Sequence, residues 1–100
     1  MAKYAAVYFS PDEERSYRTF LRAMAGLQII TMSKEQIKET MDTFVREKAG
    51  VMNRLVLDEN QETMFRAVMK GWLPKKEYKV TNDPDDADFK NWLEERKRRI

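Results

Sequence analysis

The 100-residue sequence contains no cysteine and no histidine. Without cysteine the chain has no internal disulfide, no thiolate nucleophile and no thiolate metal site. Without histidine, imidazole base catalysis and Ser/His/Asp machinery go as well, together with the usual zinc, copper and haem ligand sets. Carboxylates, lysines, tyrosines and hydroxyls remain for chemistry, and no spacing among the seventeen acids singles out a catalytic pair. The chain therefore reads as non-enzymatic, with no cofactor and no metal.

Glycine and proline are also scarce, three of each. Gly26, Gly50 and Gly71 stand alone, spaced as helix punctuation rather than gathered into a phosphate loop. Long apolar runs are absent too. The run at residues 4–9 is too short for a signal-peptide core or a membrane span. With no cysteine, the expectation is a cytoplasmic protein with no membrane partner. The net charge of +2 permits nucleic acid as a partner without arguing for it.

What is present is enough for a core. A hydrophobic share of 42% and an aromatic share of 11% exceed what disordered chains carry, so residues 1–100 are expected to form one folded domain. The pattern predicts an α+β fold, mostly helical: four amphipathic helices on a small sheet of two to four short strands, opening β-α-β.

Residues 4–9, apolar, aromatic and bounded by Ser10-Pro11, read as a buried strand. Ser10 reads as an N-cap with Glu13 completing a capping box, which starts a first helix over 11–25. Tyr17, Phe20, Leu21 and Met24 make its apolar stripe, and Gly26 is the expected left-handed residue that ends it. Residues 27–32, with Ile29 and Ile30, read as a second strand completing a parallel crossover. Ser33 and Gln36 repeat the capping box, and Ile37, Met41, Phe44 and Val45 share the face of a second helix. For residues 51–57 continuation of that helix is preferred to a strand, because Asn53 and Arg54 interrupt the apolar pattern. Asp58 or Asn60 caps a third helix with the stripe Met64, Phe65, Val68, Met69 and Trp72. Residues 77–81 alternate as an edge strand. A last helix starts at Asp83-Pro84, with Phe89, Trp92, Leu93 and Ile100 on one side.

Asp83, Asp85, Asp86 and Asp88 invite comparison with a calcium loop, and Glu94 even falls at the twelfth position. Ala87 and Asp88 stand where such a loop needs an oxygen ligand and a glycine, so the acids are better explained by the helix dipole. Arg15, Arg18 and Arg22, at i, i+3 and i+7, project as a row able to grip phosphates or carboxylates. Residues 70–79 interleave Lys70, Lys75, Lys76 and Lys79 with Trp72 and Tyr78, a mixture used on single-stranded nucleic acid. Arg96, Lys97, Arg98 and Arg99 form a basic run just before Ile100. The candidate partner-binding residues are Arg15, Arg18, Arg22, Lys75, Lys76, Lys79, Arg96, Arg98 and Arg99.

The leading expectation is a small interaction protein, an adaptor, inhibitor or regulator, whose face combines part of the first helix with an apolar helix surface. Its partner is another protein or a second copy of the chain. The alternative is nucleic-acid binding, which needs the Arg15, Arg18 and Arg22 row, residues 70–79 and the basic C-terminus to converge.

Overall fold

The apolar run at residues 4–9 demands cover on both faces, and the fold is built to provide it. In the computed structural model, which describes residues 2–99, β1 (Lys3–Phe9) is the middle strand of three. Its edges are taken by β2 (Val51–Leu57) and β3 (Tyr78–Thr81), both antiparallel, in the order β2-β1-β3. Ala5 stands between Leu55 and Val80, and Ala6 between Arg54 and Lys79. Alternate residues then serve two cores. Ala5, Val7 and Phe9 join Leu55 and Leu57 under α1 (Glu14–Gly26), α2 (Lys34–Glu47) and α3 (Glu59–Trp72). Ala6 meets Phe89 and Leu93 of α4 (Ala87–Lys97) on the other face. The result is an α+β fold of four helices on a three-stranded antiparallel sheet, opening with a strand and then a helix.

The main core is aromatic. Phe9 meets Tyr17 and Phe20 with ring centroids 5.0 and 5.1 Å apart, and Phe65 stands edge-on to Tyr78 at 5.4 Å. Ring pairs at these separations add to the area they bury.

The capping boxes at Ser33–Gln36 and Asp58–Gln61 form as expected. The one at Ser10 forms only in part. Glu13 accepts from the Ser10 N–H at 2.8 Å, but the Ser10 hydroxyl turns to Asp12 and Glu13, so residues 11–12 make a turn and α1 begins at Glu14. The last helix likewise starts later than Asp83-Pro84. The Asp83 side chain accepts from the Asp85 N–H at 2.9 Å and closes a local turn, leaving Asp86 as the N-cap. Ile100 of its expected stripe lies outside the described residues.

The parallel crossover does not form. Residues 27–32 are a turn and a loop, for two reasons. Their N–H groups are spent on the end of α1: Leu27 donates to Ala23 O, and Ile29 and Ile30 both donate to Met24 O. Both edges of β1 are also already filled. The left-handed residue of that turn is Gln28, at φ 59°, rather than Gly26.

Residues 51–57 are a strand and not a continued helix. Lys48, at φ 53°, ends α2 by donating to Phe44 O. Gly50 then passes so close to β1 that an added Cβ would lie 2.7 Å from Tyr8 Oη and 2.9 Å from Phe9 O. Arg54, which weakened the strand reading, simply faces solvent, while Leu55 and Leu57 face the core.

Two residues expected on buried stripes are exposed, Val45 at 47% and Trp72 at 66%. Trp72 sits in the last turn of α3, where Leu73 takes over the core position. Trp72→Ala is accordingly expected to change unfolding free energy by less than about 0.5 kcal/mol in urea denaturation, as surface substitutions usually do.

Candidate functional site

α2 folds back along α1, since Tyr17 near the start of α1 meets Phe44 near the end of α2 with ring centroids 4.9 Å apart. Residues 27–33 join them at the other end. Between the two helices lies an open groove of 810 Å³ lined by Arg18, Arg22, Ala25 and Gly26 from α1, Met32, and Lys34, Ile37, Lys38, Met41 and Asp42 from α2. Ile37 and Met41 are buried members of the core whose edges reach the groove floor.

The helices place these side chains by simple periodicity. Arg18 and Arg22 are one turn apart on α1, and Lys34, Lys38 and Asp42 are successive turns of α2, with Ile37 and Met41 between them. Val45, one turn beyond Met41, extends the same face with exposed apolar surface. Four cations thus border a partly apolar floor that holds one carboxylate, Asp42.

α2 sorts its charges by flank. On its other side Glu39 and Glu47 line a separate depression of 530 Å³ together with Thr40, Thr43, Tyr17 and Phe44. Lys34 is the first residue of α2, at the positive end of the helix dipole, where a cation is unfavourable by some tenths of a kcal/mol. Arg22, Lys34 and Lys38 have no carboxylate within ion-pair distance among the described residues, whereas Arg18 holds Glu14 at 3.1 Å. Positive charge is thus gathered in the groove, with Lys34 placed against local helix preference.

The candidates read from the sequence separate into several groups. Arg18 and Arg22 line the groove, while Arg15 is exposed a turn earlier and does not. Lys75 is exposed in the turn between α3 and β3. Lys76 is buried, paired with Glu13 and lying 4.7 Å from the Phe9 ring centre, so it is a core contact rather than a surface cation. Lys79 is half-buried on the sheet face that carries α4. Arg96, at 7% exposure, is stacked 4.2 Å from the Trp92 ring centre and bound to Glu77 at 3.0 Å, so it fastens α4 to the approach of β3. Arg98 is exposed, and Arg99 pairs with Glu95 at 3.2 Å. The α1 row and the C-terminal arginines lie on opposite faces of the sheet and do not converge.

Lys34, Lys38, Met32 and Asp42 were missing from the sequence-derived set. The available signal was Lys34 at a helix start where the dipole disfavours it, followed by Lys38 one turn later.

Burial pushes the Glu13 carboxyl upward, but hydrogen bonds from the Lys76 ammonium and the Ser10 N–H and hydroxyl outweigh it, so the pKa is lowered. That of Asp12 is lowered too, first by the Ser10 hydroxyl. A carboxyl whose folded pKa is depressed stabilises the fold above its ordinary range and loses that contribution as pH falls through the folded value. Urea midpoints are thus expected to fall on acidification below about pH 4, and Glu13→Gln to flatten that part of the profile.

Among the described residues no group of three or more acidic, histidine or cysteine side chains is arranged to hold a metal ion. Among the described residues no helix is long and apolar enough to cross a membrane. No protein-family model matches the sequence, no curated protein matches it, and no solved structure matches the chain.

Proposed function

We propose that the protein is a non-enzymatic interaction module that holds an acidic, partly apolar segment of a partner protein in the α1–α2 groove. The observation that carries this reading is the convergence of Arg18, Arg22, Lys34 and Lys38 around the floor made by Ala25, Met32, Ile37 and Met41. Guanidinium and ammonium groups at a groove rim select carboxylates and set encounter rates, while the apolar floor supplies contact area. Methionine in the floor suits a surface that adjusts to its ligand. The groove volume lies in the range of sites that bury a ligand substantially.

This reading keeps part of the first helix and an apolar helix surface from the sequence-based expectation and adds the basic side of α2. The nucleic-acid reading has less support, because the basic groups it needs are divided between two faces of the sheet and two of them, Lys76 and Arg96, are buried.

The test uses a fluorescein-labelled peptide of interspersed glutamate, leucine and phenylalanine, and a second in which glutamine replaces every glutamate. Fluorescence anisotropy is expected to show binding of the acidic peptide that weakens as salt rises, and binding of the glutamine peptide at least about tenfold weaker, since each exposed ion pair is worth up to about 1 kcal/mol. Equal binding of both peptides, or binding of neither, would overturn the reading.

A further inference from the structure

The groove is not uniformly basic along its length. At the end closed by residues 27–33 it is lined by Arg22, Lys34 and Lys38 and by no acid; Glu35, the acid of that turn of α2, is not among the lining residues. At the other end, next to the Tyr17–Phe44 contact, the lining groups are Arg18 and Asp42. Arg18 there is already paired with Glu14 at 3.1 Å. Counting these groups gives three uncompensated positive charges at the closed end. At the far end the lining charges, Arg18 and Asp42, cancel, for a net charge of zero.

A charge gradient along a groove orients whatever lies in it. A segment with carboxylates spread evenly along its length would set some of them beside Asp42, where like charges repel, and beside an Arg18 already held by Glu14. A segment whose carboxylates are gathered at one end meets attraction at the closed end and places its apolar residues toward Met41 and Val45. We infer that the groove selects a one-ended ligand: a peptide segment with its acidic residues clustered at one end and an apolar stretch following. Three separate cations at the closed end call for several carboxylates, which a peptide offers and a single fatty-acid head group does not. This inference rests on the groove being the binding site, as proposed above.

The probes are labelled peptides of identical composition, with the glutamates gathered at the N-terminal end, gathered at the C-terminal end, or dispersed. Because the chain direction of the ligand is open, both clustered forms are used. At least one of them is expected to bind about tenfold tighter than the dispersed form, a factor within reach of one or two added ion pairs. Asp42→Lys, at an exposed position, is expected to raise affinity for the dispersed peptide and narrow the difference. Should the dispersed peptide bind as tightly as the tighter of the two clustered forms, the one-ended selection is overturned while the groove remains the site. Binding by none of the three would overturn the groove as well. Displacement of the clustered peptide by laurate at matched concentration would overturn the peptide assignment in favour of an anionic lipid.

Discussion

Reversing Arg22 and Lys38 together to glutamate is expected to weaken binding of the acidic peptide by about 30- to 100-fold, as measured by anisotropy titration at low salt. Each substitution exchanges an attraction of up to about 1 kcal/mol for a comparable repulsion, so two sites supply roughly 2–3 kcal/mol, and every 1.4 kcal/mol is tenfold. Both residues are exposed and neither has an ion-pair partner among the described residues. The fold should therefore tolerate the double variant with an unfolding midpoint close to the parent's. Lys38→Glu, within the first two turns of α2, even suits the dipole better than lysine does. A variant that loses binding while keeping its stability separates recognition from folding. The same double reversal should leave the glutamine peptide's weak binding unchanged, since that peptide offers no carboxylate to lose.

Phe65→Ala is expected to remove about 3–5 kcal/mol of stability and lower the thermal midpoint by roughly 15–30 °C. Phe65 is fully buried and is the ring through which α3 meets β3, edge-on to Tyr78. Truncation leaves a cavity between elements that surrounding side chains cannot readily close, because the core they belong to is already tightly packed. For a chain of this size that loss is a large fraction of the whole folding free energy. Differential scanning calorimetry of Phe65→Ala beside Trp72→Ala checks the contrast. Both residues sit on the expected stripe of one helix, yet one is buried and the other exposed.

That contrast shows where sequence patterning stops. Periodicity identified all four helices, because each carries apolar residues at the spacing of a buried face and three have polar caps at or near the expected positions. It identified β1 for the same reason: a run apolar at every position has few alternatives to a strand covered on both sides. It misplaced Val45 and Trp72 because a stripe gives direction around a helix, not how far the neighbouring element extends along it. It placed a strand at residues 27–32 because branched side chains suit strands, whereas the fate of that segment was decided by backbone groups, the carbonyls of Ala23 and Met24 waiting for donors. Residues 51–57 went the other way. An exposed Arg54 is natural on the outward side of an edge strand, and only the pairing with β1 shows which side is outward.

The candidate site was legible to the extent that it lies on one helix. Arg18 and Arg22 belong to a row visible at i and i+4, but the groove needs the antiparallel return of α2, which brings Lys34 and Lys38 opposite them. No local pattern states that two helices will face one another across a gap. Lys76 and Arg96 illustrate the converse. Each resembles a surface cation in sequence, and each is drawn inward by an aromatic ring and a carboxylate from a distant part of the chain, Phe9 with Glu13 and Trp92 with Glu77.

The measurement that bears most directly on the groove as the binding site is an amide NMR titration of the protein with the acidic peptide. Chemical-shift changes are predicted in the second half of α1, residues 27–33 and the first half of α2, with α4 and the end of α3 unmoved. Changes centred instead on Trp72 and Lys75, or on the C-terminal arginines, would contradict the account.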